Sequence, residues 1–315
     1  MRAVVCLAIA LACLSLPLAH AQAADGAYAV DYDRLYRIDI TARTATLIGA
    51  AGGDGSQPIA DLSGLTTAPD GTLYAASDTI KSLVRIDPGS GKASVVGNFG
   101  IVLGNDPAAP LDYAMTAACD GSLWLASATA RQLWKVNPAT GAATAIGPTG
   151  RTITGLVMKD NTLYGIGGRG EEGWYRIDTK TGSASLLGGL GTMVTYLASA
   201  SPAVTADGRM LAALNYVPPP DNRLPADWSD LAEIDPVNGV TRVLGNITGP
   251  ASLRGIGIRG FTLGAPACGT TPLPPRPHAT AQPIPLGGRT ALVLQIALLG
   301  ILATVASRRA KHSCR

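Results

Sequence analysis

Leu83-Val84-Arg85-Ile86-Asp87-Pro88-Gly89-Ser90-Gly91, followed by Gly97 ten residues after the aspartate, is the stretch that decides the fold. An apolar pair, a polar residue and a β-branched residue alternate as a half-buried strand does. Asp-Pro-Gly-Ser-Gly is turn chemistry: Asp accepts backbone N–H bonds, Pro presets φ, and Gly admits positive φ. The pattern recurs as Leu35 to Asp39, Leu133 to Asn137, Trp174 to Asp178 and Leu231 to Asp235. Gly stands ten residues after the acidic or amide residue each time, at 49, 97, 147, 188 and 245. Between turn and glycine lies an alternating run such as Ala143 to Ile146. Each copy therefore reads strand, tight turn, strand.

Upstream of each of the last four hairpins stands a second marker, a turn dipeptide and then an apolar strand. Asp70-Gly71 precedes Leu73-Tyr74, Asp120-Gly121 precedes Leu123-Trp124, and Asp160-Asn161 and Asp207-Gly208 do likewise. A further short apolar strand lies before it, such as Gly155-Leu156-Val157. The unit thus has four strands, a to d. The repeated Asp or Asn residues lie 48, 50, 41 and 57 apart. Four-stranded units of that period predict a β-propeller. The first unit starts at Asp25 and has no strand a, and Leu253 to Ile258 is expected to supply it and close the ring. Phe261-Thr262-Leu263 is the competing segment, readable as an extra strand b. The expected fold is all-β, with five blades over residues 24–265.

The Ile-Asp-Pro-x-Thr-Gly type of turn resembles that of the exported YVTN/quinoprotein-like propeller group, a resemblance that implies fold and not function. The repeated Arg37, Arg85, Lys135 and Arg176 alternate with core positions and are read as solvated faces beside acidic neighbours.

The ends read as addresses. Arg2, the apolar run Ala3 to Leu18 and small-x-small steps ending at Ala23 form a secretory signal over residues 1–23. Residues 266–289 are a Pro-rich linker. Thr290 to Ala306 is uncharged and mainly apolar, so a membrane helix is expected over 290–307, with the basic tail 308–315 in the cytoplasm. Pro283-Ile284-Pro285-Leu286, that helix and Arg308-Arg309 together resemble bacterial C-terminal sorting tails of the IPTL-CTERM and PEP-CTERM type. That resemblance implies a sorting peptidase as a partner and display at the cell surface. The plain alternative is a simple anchor in the inner membrane.

Composition excludes several chemistries. The chain has 315 residues, 25 Lys+Arg and 22 Asp+Glu. All 22 acidic residues fall between Asp25 and Asp235, against 18 basic ones between Arg34 and Arg259, a net of −4. An acidic body argues against nucleic acid as a partner. The three histidines, His20, His278 and His312, all lie near the ends, which removes His-based catalysis and His-ligated metals from the middle. No cofactor or metal site and no catalytic residue is assigned. Cys119 and Cys268 are candidate disulfide partners in an oxidising compartment, although they stem from blades not expected to be neighbours.

The site expectation comes from topology. The a–b and c–d turns fall on one face of the disc and are short and uniform. The b–c and d–a loops fall on the other and carry the length variation. Loops held on a rigid scaffold are where binding concentrates. Candidate ligand residues are Asp54, Asp106, Tyr216, Asp221, Arg223, Asp227 and Trp228. The expected role is a binding or scaffold module for a polysaccharide, peptide or protein. The alternative is a carboxylate-based, glycosidase-like hydrolase, for which Asp61 and Asp112 lie closest to the channel.

Overall fold

The computed structural model describes residues 26–102, 109–192, 194, 197–216, 228–266 and 268, all within the compact unit Met1–Thr270. The expected signal segment, almost all of the linker, the membrane helix and the basic tail lie outside the described residues.

Five four-stranded antiparallel sheets form a five-bladed β-propeller. Blade 1 holds β1 (Ala27–Val30), β2 (Arg34–Asp39) and β3 (Thr44–Ala50). Blade 2 is β4 (Leu62–Thr67), β5 (Leu73–Ser77), β6 (Ser82–Ile86) and β7 (Ala93–Asn98). Blade 3 is β8 (Tyr113–Ala117), β9 (Leu123–Ser127), β10 (Gln132–Val136) and β11 (Ala143–Pro148). Blade 4 is β12 (Ile153–Lys159), β13 (Thr162–Gly167), β14 (Gly173–Ile177) and β15 (Ala184–Gly188). Blade 5 is β16 (Leu197–Val204), β17 (Met210–Tyr216), β18 (Asp230–Ile234) and β19 (Thr241–Asn246). The last strand, β20 (Gly260–Thr262), pairs with β1 and completes blade 1. The inner strands β4, β8, β12, β16 and β20 pack each against the next and close a ring.

The closing strand is not the one expected. Leu253 to Ile258 is turn, with Leu253, Arg254 and Ile256 each donating its N–H to a carbonyl three residues back. Gly255 and Gly257 take φ of +75° and +82°, so the chain turns twice within three residues. The apolar residues there are core all the same, Leu253 being 1% and Ile258 0% exposed. Phe261-Thr262, read as an extra strand b, belongs to the ring-closing strand a.

The repeated glycine holds blade to blade. Strand d bulges opposite the start of the motif in every blade, for example between Leu83 and Val84. A Cβ on Gly49, Gly97, Gly147 or Gly188 would stand 2.0–2.1 Å from a carbonyl oxygen of the next blade's c–d turn. Two residues later a carbonyl accepts an N–H from the next strand d: Ala51 from Ala93, Phe99 from Ala143, Thr149 from Ala184, Leu190 from Thr241. These bonds satisfy backbone groups at the edge of each sheet. The seam between blades 5 and 1 is built differently. Arg43, at φ +53°, stands where the other turns have glycine, and Ala45 donates to Thr248.

Three of the repeated cations face aromatic neighbours, and Lys135 has an acidic one as well, its Nζ 3.9 Å from Asp120 Oδ2. Arg37 lies over Tyr28, Arg85 over Tyr74 and Lys135 over Trp124, at 5.5–5.8 Å from the ring centres. Strand pairing places each cation directly opposite its ring. Such contacts contribute about 0.5–1 kcal/mol each at exposed sites, so the row supports the blades and marks no ligand site.

Cys119 and Cys268 are disulfide-bonded, with Cα atoms 5.4 Å apart. Cys119 follows β8 of blade 3, and Cys268 follows β20 of blade 1. Blades 1 and 3 are not neighbours. The bond spans them because the chain leaving β20 runs across the axis, where Leu263, Gly264 and Pro266 line its narrow end together with Thr66 and Thr116.

Candidate functional site

The axis is a bowl with a closed floor. Each inner strand contributes one bulky residue to a constriction: Leu65, Met115, Leu156, Pro202 and Phe261. The space left there is about 10 Å³. Toward the uniform face the axis opens only to about 30 Å³. Toward the face of long loops it widens to about 290 Å³. The site thus lies on the elaborated face, and all five blades wall it.

Its floor is polar. Ser63 of β4, Tyr113 of β8, Thr154 of β12 and Ser199 of β16 line it, with Arg259 just before β20. Its wall carries Tyr32, Tyr216 and Trp228. Four buried side-chain atoms have no hydrogen-bond partner among the described residues: Asp61 Oδ1, Ser63 Oγ, Tyr113 OH and Arg259 Nε. Ser63, Tyr113 and Arg259 line the bowl, and Asp61 pairs with Arg259. Isolated buried polar groups cost about 1–3 kcal/mol each, and their clustering marks the place where the fold gives way to another demand. Burial, then the Asp78 carboxylate, raises the Tyr113 hydroxyl above the ordinary tyrosine range.

A line of alternating charge crosses the mouth. Arg259 Nη2 stands 2.8 Å from Asp61 Oδ1 and 3.7 Å from Asp112 Oδ1. The shorter of these is an ion-pair contact without hydrogen-bond alignment, since Asp61 Oδ1 counts among the unpartnered atoms. Arg169 Nη2 reaches Asp112 Oδ2 at 2.9 Å. The Arg259 guanidinium also lies over the Tyr32 ring, 4.6 Å from its centre. Asp61 and Asp112 both hold φ near +50°, an αL conformation that non-glycine residues seldom take. Burial raises the Asp61 carboxyl above its usual range. Arg259 opposes that shift, and the neighbouring Asp78 and Asp112 add to it. The two Oδ1 atoms are at most about 6.5 Å apart, because both approach the same Arg259 nitrogen.

Local structure fixes these groups. Asp78, buried in the b–c loop of blade 2, accepts from the backbone N–H of Leu111 at 2.8 Å and Asp112 at 3.3 Å, and pairs with Lys81 at 2.5 Å. That holds the end of one d–a loop and so the Asp112 carboxylate. Asn215 does the same for the other side of the bowl. Its Nδ2 donates to the Ile258 carbonyl and to Ser199 Oγ. Its Oδ1 accepts from Ser229 Oγ at 2.5 Å and from Ile258 N at 3.2 Å. Gly257 is pressed against it, and a Cβ there would lie 2.9 Å from Asn215 Oδ1. The segment that carries Arg259 is therefore clamped by Asn215 and Ser229, the neighbours of Tyr216 and Trp228.

Tyr216 and Trp228, expected as ligand residues, both line the bowl. Burial raises the Tyr216 hydroxyl, and Asp230 adds to the shift. Asp54 sits elsewhere, on an exposed loop, where Oδ1 accepts from the N–H groups of Ser56 and Gln57 and closes its own turn. Asp106, Asp221, Arg223 and Asp227 lie outside the described residues. Tyr32, Arg169, Asn215 and Arg259 had no signal of their own in the sequence. Among the described residues no group of three His, Cys, Asp or Glu side chains is arranged to hold a metal ion.

No family model and no curated protein matches the sequence. Solved structures of similar form include a chain of the Kuenenia stuttgartiensis hydrazine synthase, 18% identical over 61% of this chain, with a TM-score of 0.39. The chain spans about half of that relative, 52% of its length. A gluconolactonase from Xanthomonas campestris is 12% identical over 69% of this chain and 71% of its own, with a TM-score of 0.44. A chain of a nidogen–laminin complex is 11% identical over 77% of this chain and 99% of its own, with a TM-score of 0.51. At these identities the likeness is one of fold, and the fold is a five-bladed β-propeller.

Proposed function

We propose that this chain is an exported binding module whose axial bowl takes a sugar unit of a polysaccharide. The carrying observation is the bowl itself: a cavity of about 290 Å³ lined by Asp112, Arg169 and Arg259, with Tyr32, Tyr216 and Trp228 in its wall. Aromatic faces stack on the apolar faces of sugar rings, while a few placed polar groups fix orientation. Arginine and aspartate in alternation offer donors and acceptors side by side, as a neutral polyol requires. The volume suits a small ring system better than a folded peptide or a protein surface.

The leader at 1–23 and the tail at 290–315 complete the proposal: export, then anchoring in the membrane or sorting to the cell surface through the motif at Pro283 to Leu286. Cell fractionation with terminal sequencing of the mature protein tests that part.

A hydrolase is the second reading, and one observation favours it. Asp61 and Asp112 lie within about 6.5 Å of each other at the mouth, and one of them is pushed toward its protonated form by burial. Glycosidases set their two carboxyl groups about 5–9.5 Å apart. Arg259 stands between this pair, however, and holds both as ion-pair partners. The test for both readings is a glycan array read for retention and for released product. Retention without product supports the binding module. Product lost in Asp61→Asn and Asp112→Asn supports the hydrolase. Peptide retention without glycan retention overturns both.

A further inference from the structure

We infer that the bowl recognises the free end of a polysaccharide chain rather than an internal stretch of it. This rests on the saccharide reading above and adds the class of ligand. An internal segment must enter and leave its site, so it needs a groove open on two sides. The bowl has none among the described residues. Its floor is shut by the constriction of Leu65, Met115, Leu156, Pro202 and Phe261. Its wall runs round the axis, through Tyr32 of blade 1, the Asp112 turn before blade 3, Arg169 of blade 4, Tyr216 of blade 5 and Gly257 at the seam. A chain can enter by one end and go no further.

The chemistry of the lining agrees. A terminal unit carries at least one more free hydroxyl than the same unit inside a chain. Arg169, Asp112 and Arg259 line the bowl with side chains 46%, 25% and 20% exposed, so charged donors and an acceptor face the space where such a hydroxyl would stand. A site built from such groups discriminates strongly in favour of a ligand that hydrogen-bonds to them. The cavity, about 290 Å³, has room for about one terminal ring and part of the next.

The experiment uses purified full-length protein and immobilised polysaccharides whose chain ends are multiplied by limited acid hydrolysis. Retained protein is read per mass of glycan, with the corresponding mono- and disaccharides as soluble competitors. Raising the number of ends about tenfold is expected to raise retention about tenfold, with the disaccharide competing. Retention that follows mass and ignores the number of ends overturns the chain-end inference and leaves the saccharide reading standing. No retention of any polysaccharide, with no competition by any sugar, overturns both.

Ala198→Trp fills the bowl from a half-buried lining position. It is expected to abolish end-dependent retention by more than tenfold. Retention by this variant equal to wild type, with an unchanged circular dichroism spectrum, places the ligand elsewhere and overturns the inference. Leu186→Ser, on an exposed outer strand, controls for general effects and keeps full retention.

Discussion

Removing the Cys119–Cys268 bond by the double substitution Cys119→Ser/Cys268→Ser tests how the ring is held shut. The closing strand has only three residues, and three residue pairs join it to β1. The bond lies six residues beyond it and ties the chain to blade 3, across 149 residues of sequence. In the chain-entropy account, a loop of that length constrains the unfolded state by about 5 kcal/mol. Measured values for native bonds run from about 2 to 5 kcal/mol. A loss of that size lowers the melting temperature of a domain this large by roughly 10–20 °C at the upper figure. The assay is urea unfolding of wild type and double variant in a Cys314→Ser background, with and without reductant. Wild type with reductant should match the double variant, and the unfolding slope should rise in both as the denatured chain expands. Equal midpoints for the wild type and the double variant would refute the reasoning. So would a reductant effect of equal size in the variant, which has no bond to lose.

Three further outcomes follow from single contacts. Gly188→Ala places a Cβ 2.0 Å from the Asn238 carbonyl oxygen, whereas its neighbour Gly189 has open space and ordinary φ. Thermal unfolding should show a loss of about 1–3 kcal/mol for the first and less than about 0.5 kcal/mol for Gly189→Ala; similar losses would discredit the interblade contact. Asn215→Ala leaves Ile258 N–H and C=O with fewer partners and should cost about 1–3 kcal/mol, together with a shift in Trp228 emission; an unchanged spectrum would mean the clamp does not position the bowl wall. Burial alone would raise the Glu171 carboxyl, but hydrogen bonds from Arg131 and Thr152 hold it down at about 2. A depressed acid contributes stability that is present above its unfolded value, near 4.5, and is lost as pH falls through about 2. The melting temperatures of wild type and Glu171→Gln should therefore converge as pH drops through that window, and a gap that stays constant would sink the assignment.

The repeat was legible because its parts are chemically forced. Gly49, Gly97, Gly147 and Gly188 each lie against a neighbouring backbone carbonyl, so no other residue fits and the spacing cannot drift. The aspartates at the c–d turns accept backbone N–H bonds, as Asp87 does from Gly89 and Ser90, which keeps them in register with the glycines. The cations of strand c were harder to read, because their partners lie on strand b, some ten residues away and opposite only once the register is known. The face of the site was legible from loop lengths. Its contents were not, since Tyr32, Arg169 and Asn215 come from three different blades and belong to no shared motif.

Arg259 shows how ring closure and site are one problem. In every blade, strand a runs from the elaborated face to the uniform one. A residue before strand a therefore stands at the bowl, and a residue after it stands at the far side. A closing strand at Leu253 to Ile258 would leave Arg259 behind it, on the uniform face and far from any ligand. The observed strand, Gly260–Thr262, leaves Arg259 in front, between Asp61 and Asp112. A shift of a few residues in one short strand thus decides on which face the central cation lies. The signal that settles it is backbone, not hydrophobicity. Leu253, Ile256 and Ile258 look like a strand by pattern, but Gly255 and Gly257 between them take positive φ and bend the segment into the bowl wall. The same bend lets Asn215 grip Ile258 from both backbone sides. Closing the ring and building the site therefore draw on one continuous segment, Gly255 to Thr262, and a substitution that loosens one is expected to loosen the other.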